Sequence, residues 1–226
     1  MHEDLEAQGF FVTPALFDTG TCDEAAAYAA GLRIAGAGIR NLLMMDWCRA
    51  LAARIQTHPL IQSCLSSTHI PVQCILFEKS MGRNWLVPMH QDLSIPVRQK
   101  INHPRISGWS SKDGVPYAQA PVDLLEQLLI VRWHIDACGP HDGALRVVPG
   151  SHRHGRLDSE EVMAIRKQGE VLCCVERGGC LVMRPLLLHA SSKASGASLR
   201  RVLHFVFGPS TLPLGLAWPD VEESTE

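Results

Sequence analysis

From Pro71 onward the chain is cut into short apolar runs, and this limits its fold more than any other feature. Runs at residues 71–78, 85–87, 144–148, 181–183, 186–190 and 202–207 have the length of strands rather than helices. Pro149-Gly150 ends one of them with a turn signal. Residues 124–135 read either as a buried strand or as a short helix leading into one, because periodicity alone does not separate the two. The first quarter differs. Gly9-Phe10-Phe11-Val12 reads as a short strand, and Thr21-Cys22-Asp23-Glu24 opens a helix over residues 25–31 with a polar cap and an acidic first turn. A second helix is expected from about residue 39 to 56, where Leu42, Leu43, Met45, Trp47, Leu51 and Ile55 recur at helical spacing. Many short strands after a helical start predict a mainly β fold, a barrel or jelly roll braced by N-terminal helices.

The 226 residues are 46% hydrophobic, enough to bury a core without disulfide or metal staples. One domain over residues 1–226 is expected, helical to about 65 and strand-rich from about 70 to 210. A helix at 159–167, closed by Gly169, interrupts the strands. Lys and Arg total 21 against 23 Asp and Glu, a formal net charge of −2. With no basic excess, nucleic acid is not an expected partner. Apolar runs such as 128–131 and 186–188 are far too short to span a bilayer, so no membrane partner is expected. The opening Met1-His2-Glu3-Asp4 is polar and acidic, and a cytoplasmic location is expected. There the eight cysteines, none in a C-x-x-C pair, read as buried core thiols. About thirty residues between Asp92 and Leu124 lack a clear apolar run. A loop this long suggests a lid or binding segment, or else a surface excursion.

Among eleven histidines, the pattern His-x-Asp occurs at His2/Asp4, His90/Asp92 and His134/Asp136. On a strand, residues i and i+2 share a face, so one strand can offer an imidazole and a carboxylate to one metal ion. A second His from a distant strand completes a two-His, one-carboxylate face suited to non-haem Fe(II) oxygen chemistry. His2/Asp4 lies at a terminus expected to be loose. The spacing leaves His90/Asp92 and His134/Asp136 as competitors.

The stretch from Asp142 to His152, Asp-Gly-Ala-Leu-Arg-Val-Val-Pro-Gly-Ser-His, followed by Gly155, resembles the GAL-x-V-x-PGSH signature of the phytanoyl-CoA dioxygenase family. The opening around Gly9-Phe10 is similar to that family's start. The resemblance runs from about residue 70 to 207. It implies a double-stranded β-helix, a jelly-roll barrel, carrying an Fe(II)- and 2-oxoglutarate-dependent dioxygenase. In the family the metal His-x-Asp precedes the PGSH strand, and the distal His follows it with an Arg eleven residues later. By that order His90, Asp92 and His189 are the iron ligands, and Arg200 receives the far carboxylate of 2-oxoglutarate. O2 is the remaining reactant, and succinate and CO2 are products. His134/Asp136 falls too late in the order and reads as polar residues of a barrel strand. Asp92 stands where related halogenases carry a small residue, which implies hydroxylation or another oxidation.

A guanidinium suits its expected task because it can clasp a carboxylate with two parallel hydrogen bonds. Arg201, next door on the strand, points the other way and reads as a salt-bridge partner. Ser191 matches a position that often donates to the same carboxylate in the family; it also reads as an ordinary loop serine. Gln73, Ile75, Phe77 and Lys79 share a face, so Gln73 is a further cosubstrate candidate, whereas Lys79 reads as a solvated strand-end charge. Trp85 reads as core or as a mouth residue. Arg132 shares a face with His134 and is a substrate-side candidate. So are Trp109, Lys112 and Asp113, because the segment 108–116 resembles a pocket-lining stretch in a related hydroxylase of small polar solutes. It is longer here and carries Lys112, so that substrate does not transfer. The expected partner is a small molecule; no oligomeric state is read. Two alternatives stand beside this reading: a cupin-like metal enzyme using no 2-oxoglutarate, and a non-catalytic jelly-roll binding protein.

Overall fold

Alternate residues of three long strands face two different environments, and the architecture follows from that. The computed structural model describes residues 2–33, 36, 38–196 and 199–220. Along the chain come α1 (His2–Gln8), β1 (Phe10–Val12), α2 (Thr19–Ala30), β2 (Gly38–Ile39), α3 (Asp46–Thr57), α4 (Pro59–Gln62) and β3 (His69–Lys79). Then follow β4 (Val87–His90), β5 (Ser94–Pro96), β6 (Ser107–Lys112), β7 (Val115–Gln119), α5 (Val122–Leu125), β8 (Leu129–His134) and β9 (Leu145–Val147). The chain closes with α6 (Ser159–Arg166), β10 (Val171–Cys173), β11 (Cys180–Met183), β12 (His189–Ser191) and β13 (Arg200–Pro209).

A six-stranded sheet in the order β1-β11-β8-β13-β3-β2 lies against a four-stranded sheet in the order β10-β9-β12-β4. This is the expected jelly roll. Every residue of β8 is buried, as a central strand covered on both faces requires. One face of the large sheet, with Cys74, Leu76, Val131, Trp133, Leu203 and Phe205, packs on α2 and α3 through Ala25, Cys48, Leu51 and Ile55. The other face, with Ile130, Leu181 and Val206, packs on Leu145, Val147 and Cys173 of the small sheet.

Local chemistry moves several boundaries. Helix α2 starts two residues before Thr21, because Asp18 is its cap and accepts from the Thr21 amide at 2.9 Å. The expected helix from residue 39 is instead strand β2, a 3₁₀ turn at Leu42–Met44 and then α3; Asn41 in the left-handed region (φ 62°) separates them. The terminus bearing His2 and Asp4 is helix α1, not a loose end. Residues 124–135 resolve as the end of α5 followed by β8. Helix α6 begins at a full capping box between Asp158 and Glu161.

The largest correction concerns the expected loop after Asp92. It holds a third sheet in the order β5-β7-β6. Strands β6 and β7 form a hairpin whose two-residue turn, Asp113-Gly114, has φ of 51° and 81°. Two consecutive positive φ values suit the right-handed twist of a tight hairpin. Strand β6 is rich in serine and mostly exposed, so it shows no apolar alternation.

Candidate active site

Strand register brings His90 and His189 together. They are direct partners across the antiparallel pair β4·β12, and their rings lie 4.2 Å apart. Asp92 follows two residues after His90, where the Asp92 amide donates to the Pro185 carbonyl at 2.9 Å and turns the chain inward. Its carboxylate sits 3.7 Å from His90 Nε2 and 3.6 Å from His189 Nε2. One donor atom from each of the three lies within 4.8 Å of the others. His90 Nδ1 donates to the Pro88 carbonyl and His189 Nδ1 to the Leu187 carbonyl, each at 2.9 Å. A carbonyl only accepts, so each proton sits on Nδ1 and each Nε2 lone pair is free to face Asp92.

The electrostatics agree with a metal-ligand face. Burial pushes His189 down to about 4, so it is neutral near pH 7. Burial also works against the charge of Asp92, but the two histidines outweigh it and hold this carboxyl well below the usual carboxylate range. Burial pushes His90 down, but Asp92 together with its backbone hydrogen bonds pulls it up past the ordinary imidazole value. Asp92 Oδ2 is buried without a hydrogen-bond partner, a state a cation would relieve. Two imidazole nitrogens, that of His90 freed as the cation displaces its proton, and one carboxylate oxygen fit Fe(II) and leave the opposite face open. The residue between the ligands also works: Gln91 donates to the Gly155 and Leu186 carbonyls, both at 2.7 Å, and accepts from the Leu157 amide at 2.9 Å. It staples the ligand-bearing turn to the loops around it.

A chamber of about 250 Å³ opens on one side of this group, with Arg200, Lys79, Ser191, Arg132, Trp85 and His204 in its wall. Asp92 is its one lining carboxylate, against three cationic side chains. Arg200 Nη1 donates to the Gly143 carbonyl at 2.6 Å, while its buried Nε has no partner. Lys79 is fully enclosed and donates to Ser191 Oγ at 2.7 Å and the Ser192 carbonyl at 2.6 Å. Burial and nearby Arg200 push its pKa down to about 8. Arg132 Nη1 donates to His204 Nδ1 at 2.8 Å, and its Nε is buried and unpartnered. Gly143 fits only as glycine, since a Cβ there would meet the Ser192 carbonyl oxygen at 2.7 Å and Lys79 Nζ at 3.1 Å. A dianion such as 2-oxoglutarate would satisfy this excess of buried positive charge.

A second cavity, of about 370 Å³, also reaches the group and shares Phe77, His90, Asp92 and His204 with the first. The β6–β7 hairpin contributes Lys112 and Tyr117, and the segment after β2 contributes Arg40.

Among curated proteins no sequence matches this chain. The family model for phytanoyl-CoA dioxygenase (PhyH) matches residues 5–202. The chain belongs to the phytanoyl-CoA dioxygenase family. Solved structures of similar fold include the non-haem α-ketoglutarate-dependent epimerase SnoN from nogalamycin biosynthesis, with TM-score 0.70 and 16% identity over 97% of this chain and 82% of that one. AviO1 from Streptomyces viridochromogenes Tue57 gives 0.62 and 21% over 94% and 95%. HygX from Streptomyces hygroscopicus, solved with nickel, 2-oxoglutarate and hygromycin B, gives 0.67 and 16% over 97% and 96%.

In this phytanoyl-CoA dioxygenase family member the expected residues divide among the regions described. His90, Asp92 and His189 converge, while Arg200, Ser191 and Arg132 line the smaller chamber. Gln73 does not join them: it lines the larger cavity and donates to the Tyr117 hydroxyl at 2.8 Å. Arg132, expected on the substrate side, sits with Arg200 because its register opposite His204 of β13 places it in the wall of the smaller chamber. Lys112 lines the larger cavity, but Trp109 packs on the hydrophobic core and Asp113 sits exposed at the hairpin tip. His134 and Asp136 stay apart from the metal group; Asp136 accepts Arg201 through two oxygens at 2.8 Å. Sequence reasoning missed Lys79 and His204. Lys79 shares the strand face of Gln73, which was the available signal, but its enclosure depends on the 191–192 segment folded against it. No helix among the described residues is long and apolar enough to cross a membrane.

Proposed function

We propose that this protein is an Fe(II)- and 2-oxoglutarate-dependent dioxygenase that hydroxylates a small molecule. One observation carries the reading: a two-His, one-carboxylate group whose free donor atoms converge, opening onto a chamber lined by three cations and no carboxylate but Asp92 itself. His90, Asp92 and His189 would hold the iron through His90 Nε2, His189 Nε2 and the Asp92 carboxylate. Arg200 would clasp the far carboxylate of 2-oxoglutarate, with Lys79 and Ser191 beside it. Bound together, iron and 2-oxoglutarate supply O2 activation coupled to decarboxylation of the cosubstrate to succinate and CO2.

The chain's own residues prepare this chemistry. The Pro88 and Leu187 carbonyls hold both imidazoles in the tautomer that presents Nε2. Gln91 fixes the turn that aims Asp92. Arg132, held by His204, keeps a positive charge near the wall shared by the two cavities. The larger cavity would seat the substrate, and its apolar wall would keep bulk water from the reacting face. The hygromycin B seen with HygX supports a small-molecule substrate in general, not its identity.

An anaerobic titration tests the reading without knowledge of the substrate. Fe(II) followed by 2-oxoglutarate should give a weak visible charge-transfer band that requires both and disappears in His90→Ala and Arg200→Ala. Iron binding without such a band would favour the cupin-like alternative.

A further inference from the structure

The larger cavity is chemically two-sided. Ile75, Leu128, Ile130, Val206 and Trp218 give part of its lining an apolar surface, and polar side chains supply much of the rest. At the hairpin side the polar groups are mainly donors. Lys112 Nζ lies 4.5 Å from the centre of the Tyr117 ring, which holds an ammonium against the cavity wall. Arg40 lines the same cavity and is close enough to Lys112 to work against its charge. The acid nearest Arg40, Asp113, stands 3.5 Å away with its side chain 56% exposed, so solvent screens the pair. The Tyr117 hydroxyl accepts from Gln73 Nε2 at 2.8 Å, which leaves its own proton available to an acceptor. Asp92, the one carboxylate of this lining, is turned to the metal group. Two cations and a hydroxyl donor thus share one wall, and among the described residues no carboxylate but Asp92 lines this cavity.

We propose that the substrate is an amphipath: an apolar body carrying an oxyanion, a carboxylate or a phosphate ester, that Arg40, Lys112 and the Tyr117 hydroxyl receive. This deepens the dioxygenase reading and rests on it for the role of the cavity. A cationic substrate would face both Arg40 and Lys112, and a neutral one would leave Lys112 with the Tyr117 ring alone and Arg40 with only its solvent-screened pair to Asp113. The volume of about 370 Å³ admits a small molecule or the reacting end of a larger one.

The test compares ligands that share one apolar chain and differ at the head: octanoate, octyl phosphate, octanol and octylamine. Each is titrated calorimetrically into protein loaded with Fe(II) and saturating 2-oxoglutarate without oxygen, so that the smaller chamber is filled. The acid and the phosphate should bind on the order of tenfold more tightly than the alcohol, equivalent to one charge-assisted contact. The amine should bind most weakly. In the double variant Arg40→Gln, Lys112→Gln the preference should shrink to within about threefold, and Lys112→Arg should keep most of it. Circular dichroism and the thermal midpoint report that each variant is folded. A phosphate preferred over a carboxylate, or the reverse, decides between the two oxyanions. Octanol binding as well as octanoate, a preference for octylamine, no binding by any probe at millimolar concentration, or a preference unchanged in the double variant would overturn the proposal. Titration of 2-oxoglutarate alone runs in parallel. Its failure counts against the dioxygenase reading, while the head-group preference still decides the chemistry of the cavity.

Discussion

The two faces of β3, β8 and β13 are made from alternate residues of the same strands, yet they do opposite jobs. The face toward α2 and α3 carries Leu76, Trp133 and Phe205 and is part of the hydrophobic core. The face toward the small sheet carries Lys79, Arg132, Arg200 and His204, all buried and polar. One face is satisfied chiefly by packing. The other holds buried guanidinium Nε atoms of Arg132 and Arg200 without hydrogen-bond partners. The lesson is that strand parity can separate stability from chemistry within a single sheet. A site of buried charge is tolerated because residues one position away supply the core.

Breaking the apolar face should have the largest effect. Trp133 is fully buried, and its indole donates to the Gly178 carbonyl at 2.9 Å. Trp133→Ala should cost about 3–5 kcal/mol of unfolding free energy by urea titration. The 2-oxoglutarate affinity of the folded fraction should change little; a parallel loss would show that the two faces are not separable. Arg200→Gln should do the reverse. It should weaken 2-oxoglutarate on the order of hundredfold by calorimetry, the cost of truncating one partner of a buried charged pair. The ligand-free protein should lose no more than about 1 kcal/mol, because losing the bond to Gly143 is offset by no longer desolvating a guanidinium.

A pH series sharpens the same contrast at Lys79. Its folded pKa of about 8 lies below the ordinary lysine value, so between the two the unfolded chain binds more protons. The ligand-free protein should therefore gain stability as pH rises through that window. Over the same range 2-oxoglutarate affinity should fall, by up to about tenfold per pH unit, as the ammonium loses its proton. Lys79→Met should bind more weakly below pH 8 and lose this dependence. The smallest effect is expected on the surface, at the hairpin tip. Asp113→Asn removes the charge of a screened pair with Arg40, keeps a residue that tolerates the left-handed turn, and should change stability by less than about 1 kcal/mol in thermal unfolding.

The primary sequence carried the mainly β fold and its helical start through run length, a local property. For the metal group the i, i+2 spacing left His134/Asp136 as a competitor to His90/Asp92, and it was the resemblance of the motif around Gly143 to a known family that ordered the site in the sequence. The sequence also placed Arg200 and Arg201 on opposite faces, as the enclosure of Arg200 and the Asp136 pair of Arg201 bear out. Only the tertiary structure decided which side of each strand faces inward and what covers its end. Lys79 reads as a strand-end charge until Ser191 and the Ser192 carbonyl close over it. Arg132 and Gln73 change chambers because register across strands distant in sequence, not spacing along one strand, sets which cavity a side chain enters. The third sheet was hidden for a different reason. Strand β6 buries too little apolar surface to show a period, and its hairpin rests on the paired left-handed conformations at Asp113 and Gly114 and on pairing with β7.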